Sequence, residues 1–141
     1  MGRLLAIDFG RRRCGIAVTD LLRIAANPLC TVDTPRLNEF ITDYISREPV
    51  DTIVVGFPTT MRGEPSDSMR YITPAVNRLR KLIAPTPVVF ADERFTTVLA
   101  HRAMIDGGMK KSDRKAKRDI DAISASIILT DYIQSKQYSM Q

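Results

Sequence analysis

Three carboxylates from separated parts of the chain, Asp8, Glu93 and Asp121, could together bind metal ions. Asp8 follows an apolar run at residues 4–7, and a charge at the tip of a buried strand is costly unless a partner neutralises it. Carboxylates that converge without a partner repel one another, which raises their pKa values. A hard divalent cation with oxygen ligands removes that repulsion, and Mg²⁺ or Mn²⁺ suits such ligands best. The sequence therefore predicts a metal site built from these three side chains.

Each acid also has a simpler explanation, as a helix cap or as an ion-pair partner. Asp8 is the exception, because its strand is apolar on both faces and a glycine follows soon after it. Asp92 competes with Glu93 for the second position. Alternation along a strand sends these two side chains to opposite faces, and Glu93 is the one favoured. Asp20, at the end of the second apolar run, is interpreted as a turn residue.

Basic residues lie close in sequence to all three predicted ligands, which favours a polyanionic substrate. Charge runs are often only solvated faces, but their presence beside each acid weakens that explanation. Contacts between such residues and phosphates give affinity and salt dependence rather than sequence specificity. The residues predicted to contact nucleic acid are Arg11, Arg12, Arg13, Arg62, Arg94, Lys110, Lys111, Arg114, Lys115, Lys117 and Arg118.

The strands that must position these groups follow from the hydrophobic pattern. The run at residues 52–56 is apolar on both faces, as in a central parallel strand. The short turn after the first strand indicates a hairpin, and Pro28 marks the third strand as weak or at an edge. The predicted strands are residues 3–9, 14–19, 25–32, 52–56 and 88–91.

Helical periodicity predicts helices after the third and fourth strands. The first has Thr34 as its N-cap and Pro35 at its first position. The second covers about residues 66–83. Pro74 lies inside it, so either this helix kinks there or a new helix begins there with Thr73 as cap. The predicted buried stripe of the second helix is Val76, Leu79, Leu82 and Ile83.

Two further helices are predicted towards the end of the chain. A short one begins at Thr96 or Thr97 and ends at the glycine pair 107–108. The final one covers about residues 115–134, and helical spacing places Asp121 on a stripe that points towards the packed side. Its predicted apolar face consists of Ile120, Ile123, Ile127 and Ile128, with Ala122, Ala125 and Ser126 small enough for close packing.

Composition and charge exclude several classes of protein. The chain has 141 residues, 44% hydrophobic and 26% charged, which suits a single globular domain over residues 1–141. No apolar run approaches the ~20 residues that cross a bilayer, and the first strand leaves no room for a signal peptide, so we expect a soluble cytoplasmic protein. Cys14 and Cys30 have no metal-ligand spacing and are expected to be free thiols. The net charge of +5 is compatible with a polyanionic partner.

Four blocks of the sequence resemble the YqgF/RuvX family, and they occur in the family's order. They are IDFGRRRCGIAVTD at residues 7–20, VVGFP followed by MRG at residues 54–63, DERFTT at residues 92–97 and IDAISA at residues 120–125. The resemblance covers nearly the whole chain, and the first and third blocks are the specific ones. Arg62 stands where the family often has an acid, Phe57 replaces a usual Leu and Ser124 a usual Ala.

The resemblance implies an α/β fold of the RNase H-like kind, with a mixed five-stranded sheet flanked by helices. It also implies a metal-dependent nuclease that matures the 5′ end of pre-16S rRNA, or a resolvase of Holliday junctions. On matching positions, the catalytic and metal-binding acids are Asp8, Glu93 and Asp121. Two Mg²⁺ or Mn²⁺ ions would then activate a water and stabilise the leaving oxygen. The expected partner is structured RNA or branched DNA, and the chain is expected to be a monomer or a homodimer.

Two other functions compete with a nuclease. In the first, the fold binds nucleic acid without catalysis and the acids are structural. In the second, the protein is a phosphotransferase of the sugar kinase and actin-like kind, whose first hairpin also contains Asp-x-Gly. The second is weak, because those proteins enclose a nucleotide between two domains and 141 residues supply one.

Overall fold

A computed structural model describes residues 2–57, 69–92 and 114–139. In these ranges five strands form one mixed sheet, in the order β3-β2-β1-β4-β5. Strands β1 and β2 form the predicted antiparallel hairpin, and β4 lies parallel to both β1 and β5. The third strand is an edge strand, as Pro28 predicted. The strands are β1 (Arg3–Phe9), β2 (Arg13–Thr19), β3 (Ala26–Asp33), β4 (Val50–Phe57) and β5 (Val88–Asp92).

Three helices cover the two faces of this sheet. They are α1 (Leu37–Arg47), α2 (Met69–Ile83) and α3 (Arg114–Ser139). Helices α1 and α2 pack on the face that carries Leu5, Ile7 and Ile16, whereas α3 packs on the face that carries Ala6 and Ala17. Both faces of β1, β2 and β4 are therefore largely buried, which explains why these three strands carry apolar residues at consecutive positions rather than at alternate ones. This arrangement confirms the predicted α/β class with a mixed five-stranded sheet.

The first helix begins differently from the prediction. A 3-10 turn at Thr34–Arg36 precedes α1, and the residue at its N-cap is Asp33, whose side chain makes no capping bond. Thr34 is therefore not the cap that the sequence predicted, because its hydroxyl donates instead to the carbonyl of Gly10 at 2.7 Å. The sequence predicts an apolar face of Leu37, Phe40, Ile41, Tyr44 and Ile45 for this helix. Leu37, Ile41 and Tyr44 are buried, and Phe40 and Ile45 are half-buried.

Helix α2 runs through Pro74 without interruption, so the alternative of a new helix capped by Thr73 is wrong. Its buried stripe is Ile72, Val76, Leu79 and Ile83. The prediction that Leu82 is buried is also wrong, since 59% of it is exposed. A step of one residue turns an α-helix by about 100°, so Leu82 lies well off the stripe that Ile83 occupies.

Helix α3 buries only part of the face that the sequence predicted for it: Ala122, Ala125 and Ile128. Its buried positions are Ala122, Ser124, Ala125, Ile128 and Leu129. Of the four predicted isoleucines, Ile128 is fully buried, and the other three (Ile120, Ile123 and Ile127) are only half-buried. Small residues allow the helix backbone to approach the sheet closely, so they take the central positions and the larger isoleucines flank them.

The turn between β2 and β3 is organised by Asp20, which confirms its prediction as a turn residue. Its Oδ1 accepts hydrogen bonds from the backbone N–H groups of Ile24 and Ala25, at 2.9 and 3.0 Å. Arg23 in this turn has φ 58°, and its guanidinium pairs with Asp51 of β4. The predicted short helix after Thr96 and the loop at residues 58–65 lie outside the described residues. Within residues 2–57, 69–92 and 114–139, no helix has the length and hydropathy needed to cross a membrane.

Candidate active site

Asp8 is flanked by a glycine on each neighbouring strand. It pairs with Gly15 of β2 and with Gly56 of β4, and Gly56 in turn pairs with Ala91 of β5. Residues that pair across a sheet project to the same face, and this row lies on the face that α3 covers. Because Gly15 and Gly56 have no side chains, groups from other elements can approach the sheet on either side of Asp8.

The backbone of helix α3 approaches the sheet at Gly15, where Asp121 lies over this glycine. A Cβ atom added to Gly15 would lie 1.8 Å from the carbonyl oxygen of Asp121 and 2.8 Å from the nitrogen of Ala122. No side chain larger than a hydrogen fits there, so the helix rests directly on this glycine. Since Gly15 is also the strand partner of Asp8, the structure brings Asp8 and Asp121 to the same place on the sheet.

The Asp121 carboxylate forms an ion pair with Arg13. Arg13 Nε donates to Asp121 Oδ2 at 3.0 Å, across 108 residues of sequence. The pair is partly buried, with 36% of the Arg13 side chain and 25% of the Asp121 side chain exposed. Asp121 therefore points towards the sheet, as predicted, and Arg13 makes a contact within the protein in addition to its predicted role towards nucleic acid.

Cys14 lies between Arg13 and Gly15 in β2, and its thiol has a raised pKa. Burial raises the pKa of the Cys14 thiol, and the negative charges of Asp8 and Asp121 raise the pKa further. The thiol lies 3.5 Å from the hydroxyl of Thr34. Cys14 and Cys30 are both free thiols, as the sequence predicted.

Thr34 holds the tip of the β1–β2 hairpin. Its backbone N–H donates to the carbonyl of Arg12 at 2.9 Å, and its hydroxyl donates to the carbonyl of Gly10. These two bonds span the turn on which the three predicted arginines lie. The Arg11 and Arg12 side chains are exposed at this tip.

Arg11 lies on the opposite side of the tip from Arg13. Its guanidinium carbon lies 5.4 Å from the centre of the Tyr71 ring, and Tyr71 packs against Phe9 with ring centres 6.3 Å apart. A cation over an aromatic face is attracted by the ring quadrupole, which orients the side chain without using its N–H donors. The tip therefore directs one arginine towards α2 and another towards α3.

The described residues contain only part of the predicted site. Asp92 ends β5, paired with Phe57, so it lies one position beyond the row of Asp8. Four of the predicted basic residues lie at the start of α3, within residues 114–118. The predicted residues Glu93, Arg62, Arg94, Lys110 and Lys111 lie outside the described residues.

The carboxylate oxygens of Asp8 and Asp121 are the type of ligand that suits a hard divalent cation. Asp8 and Asp121 both lie next to Gly15, and the Asp121 carboxylate already binds the guanidinium of Arg13. Carboxylate oxygens are the ligands that Mg²⁺ and Mn²⁺ prefer. Within the three described ranges, no three His, Cys, Asp or Glu side chains form a cluster able to hold a metal ion. Of the three predicted ligands, Asp8 and Asp121 lie within the described ranges.

Sequence reasoning missed Gly15, Thr34 and Tyr71 as parts of the site. The signal for Gly15 was present, because an isolated glycine inside a strand pattern often marks a close approach of another backbone. Thr34 was recognised as important but given the wrong bond. No local signal distinguishes Tyr71, since its contact with Arg11 depends on how α2 packs against the hairpin.

Comparisons with known proteins agree on one family. The RuvX family model, described as Holliday junction resolvase, matches residues 2–135. A protein of Phocaeicola vulgatus is 56% identical over 138 residues, which cover 98% of this chain and 99% of that protein. A protein of Parabacteroides distasonis is 50% identical over 140 residues, 99% of this chain and 100% of that protein. Both carry the name "Putative pre-16S rRNA nuclease".

A solved structure shares the fold. Its title is "T. thermophilus RuvC in complex with Holliday junction substrate", and the TM-score is 0.59 at 19% identity. The match covers 97% of this chain and 96% of that one. At this identity the likeness concerns the fold alone, and it confirms the RNase H-like architecture expected from the sequence.

Proposed function

This chain belongs to the RuvX family of nucleases, and we propose that it hydrolyses phosphodiester bonds at the site formed where α3 meets Gly15. Family membership makes the chain a hydrolase that acts on nucleic acid. The observation that carries the position of the site is the convergence of Asp8 and Asp121, 113 residues apart in sequence, at one glycine. A frame of one strand and one long helix holds both carboxylates, which is the rigid support that a catalytic site needs.

We propose Glu93 as the third carboxylate. Ala91 lies in the row of Asp8, and Asp92 lies in the next row, paired with Phe57. Side chains of an extended chain alternate between faces, so a strand that continued through position 93 would give Glu93 the parity of Ala91 and Asp8, whereas Asp92 has the opposite parity. The register of β4 and β5 thus supports Glu93 over Asp92.

These three acids would hold Mg²⁺ or Mn²⁺, with Asp8, Glu93 and Asp121 as ligands. A pair of such ions, when bound, supplies an activated water and neutralises charge on the leaving oxygen. Residues of this chain orient the carboxylates: Gly15 sets the height of α3 above the sheet, and Arg13 holds the Asp121 carboxylate in the metal-free protein.

The basic residues provide the track for the substrate backbone. The described part of α3 begins with Arg114, Lys115, Lys117 and Arg118, and it has no acid in its first turn. The N-terminus of a helix carries a partial positive charge, where acids stabilise and bases destabilise. A bound polyanion would offset the repulsion between these basic side chains and the helix N-terminus. This supports the start of α3, together with the hairpin tip, as the place where phosphates bind. We assign the same role to Arg62, Arg94, Lys110 and Lys111.

The preferred substrate is the 5′ end of precursor 16S rRNA, after the names of the two relatives. The second candidate is a four-way DNA junction, after the description of the family. Phosphate contacts do not distinguish the two, because they read the backbone and not the bases. We further propose that residues 1–141 act as one nuclease domain in the cytoplasm, since precursor rRNA is processed there and the two described acids lie on one strand and on the helix packed against its sheet.

The test is cleavage by the wild type and by Asp8→Asn and Asp121→Asn, in buffer with Mg²⁺ or Mn²⁺. The substrates are a labelled RNA that spans the 5′ end of precursor 16S rRNA and a four-way DNA junction. Asp20→Asn is the matched control, because it removes the same charge at the opposite end of β2. We expect the two site variants to lose at least about a hundredfold in rate, more than a supporting residue of a metal site costs, and the control to cut like the wild type.

Equal rates for Asp8→Asn and the wild type would overturn the proposed site. Binding of both nucleic acids without cleavage by any variant, wild type included, would favour the non-catalytic alternative. Cleavage of the junction with no cleavage of the RNA would select the second candidate. Titration with Mn²⁺ in a calorimeter gives an independent measure, since the wild type should bind the ion and Asp121→Asn should not.

A further inference from the structure

The Arg13–Asp121 pair joins a residue of the substrate track to a residue of the proposed metal site. Arg13 has the parity of Gly15, so it lies on the face of the sheet that α3 covers. Its Nε–H donates to Asp121 Oδ2 at 3.0 Å. Three-quarters of the Asp121 side chain is shielded from solvent, so water screens its interaction with this guanidinium less than it would at a fully exposed site.

The guanidinium of Arg13 and a metal ion compete for the Asp121 carboxylate. A carboxylate oxygen that accepts a charge-assisted hydrogen bond is a weaker ligand for a metal ion, and a guanidinium beside a divalent cation repels it. The guanidinium also fits a phosphate, with which it forms parallel hydrogen bonds. With 36% of its side chain exposed, Arg13 has room to turn away from α3 towards the solvent side of the hairpin tip.

We propose that Arg13 is a positioning residue that uses two anionic partners in turn. In the metal-free protein it holds the Asp121 carboxylate in place and neutralises it. When Asp121 binds a divalent cation, Arg13 is released and contacts a phosphate of the nucleic acid. This inference rests on the proposed function, because it takes Asp121 to be a metal ligand.

The exchange couples the two binding events. A bound cation frees a guanidinium for phosphate, so metal should tighten nucleic-acid binding, and nucleic acid should tighten metal binding by the same factor. In the metal-free protein Arg13 is occupied and contributes little to phosphate binding. These two statements differ from those for an ordinary structural ion pair, whose loss would lower stability and leave the metal affinity unchanged.

The first experiment measures Mn²⁺ affinity by calorimetry in the absence of nucleic acid. Arg13→Gln should bind Mn²⁺ roughly tenfold tighter than the wild type, the order expected when a unit charge is removed a few ångströms from a divalent ion in a water-like dielectric. Arg13→Lys keeps the charge and should stay within about threefold of the wild type. Arg12→Gln is the matched control, because it removes the same charge from an exposed neighbour, and its Mn²⁺ affinity should change less than about twofold.

The second experiment needs no metal, and its first comparison uses no Arg13 variant. In EDTA, the affinity of Asp121→Asn for a DNA duplex is measured as a function of salt. The freed Arg13 should add one phosphate contact, which steepens the slope of log affinity against log salt by about 0.9 relative to the wild type. The double variant Asp121→Asn with Arg13→Gln should return to the slope of the wild type.

The outcomes separate this inference from the proposed function. If Asp121→Asn abolishes Mn²⁺ binding but Arg13→Gln leaves the affinity unchanged, Arg13 is not a competitor and the inference is wrong, while the site stands. Tighter Mn²⁺ binding by both Arg13→Gln and Arg13→Lys would also overturn it, because the charge would not be the cause. If Asp121→Asn binds Mn²⁺ like the wild type, the proposed metal site is wrong, and the inference is lost with it.

Discussion

The backbone of Asp121 in α3 lies directly on Gly15 in β2, in a space where no Cβ atom fits. This contact sets the distance between the last helix and the sheet, and it sets the position of Asp121 relative to Asp8, the strand partner of Gly15. Stability and geometry of the site therefore depend on the same glycine.

Gly15→Ala should destabilise the protein and weaken the site together. The new Cβ would lie 1.8 Å from a carbonyl oxygen of a helix backbone, which cannot rotate away as a side chain could. Overpacking typically costs 1–3 kcal/mol, and a clash with backbone should reach about 3 kcal/mol. Urea unfolding measures the loss, and calorimetry should show weaker Mn²⁺ binding in the fraction that stays folded. An unchanged urea midpoint would show that α3 does not rest on Gly15.

Thr34→Val should loosen the tip of the hairpin. The substitution keeps the shape of the side chain and the backbone bond to Arg12, but it removes the hydroxyl that donates to Gly10. The expected loss of stability is about 1 kcal/mol, the net worth of one partly buried hydrogen bond. Thr34→Ser retains the hydroxyl and is the control.

The same pair of variants tests whether the tip positions the arginines. In EDTA, Thr34→Val should bind nucleic acid more weakly than Thr34→Ser, because the arginines of the tip lose their fixed arrangement. Equal stability and equal affinity of the two variants would contradict a role for the Thr34 hydroxyl.

Ser124→Ala should stabilise the protein slightly. Among the residues that the structure describes, the Ser124 hydroxyl is buried and finds no hydrogen-bond partner. Removing an unsatisfied buried hydroxyl recovers its desolvation cost, and alanine also favours the helix, so we expect a gain of up to about 1 kcal/mol.

Ser126→Ala is the matched control on the same helix, because the Ser126 hydroxyl donates to the carbonyl of Ile123 at 2.7 Å. It gains the same helix propensity but loses a bond, so its stability should change less favourably than that of Ser124→Ala. Thermal unfolding of both variants measures the difference. A lower melting temperature for Ser124→Ala than for Ser126→Ala would mean that Ser124 has a partner in solution, such as a buried water.

The difference in stability between the wild type and Asp20→Asn should depend on pH. Asp20 lies in the turn after β2, away from the proposed site. The hydrogen bond from the N–H of Ala25 lowers the pKa of the Asp20 carboxyl below its ordinary value of 3.8. A lowered pKa in the folded state means that ionised Asp20 stabilises the fold above pH 3.8, and this stabilisation disappears as the pH falls through the lowered value.

The wild type should therefore be more stable than Asp20→Asn at pH 7, and the difference should vanish at a pH well below 3.8, where both side chains are neutral. Asp20→Ala, which also lacks the acceptor, should stay less stable than the wild type even in acid. Urea unfolding at several pH values measures all three proteins. A difference between the wild type and Asp20→Asn that is independent of pH would contradict the assigned bond.

Local pattern alone was enough to predict all five strands, the first hairpin, the buried face of α1 and the edge position of β3. Periodicity and turn chemistry are properties of neighbouring residues, so they can be read before the chain is folded. The choice of Asp8, Glu93 and Asp121 as metal ligands also began from local pattern, because Asp8 is a charge on an apolar strand, and it stays a prediction. The choice of Glu93 over Asp92 rested on strand parity and on the family motif.

Contacts between distant elements were decided only by the tertiary structure. Sequence reasoning assigned Thr34 to a helix cap, whereas the fold gives the Thr34 hydroxyl to Gly10. The fold also pairs Arg13 with Asp121, a contact that the sequence did not predict. The sequence predicted close packing of Ala122 and Ala125 correctly, but it did not predict that three isoleucines of α3 are only half-buried. The physical reason is the same in each case: a side chain bonds to whatever group packing brings within about 3 Å, and the close approach of α3 at Gly15 determines which groups those are.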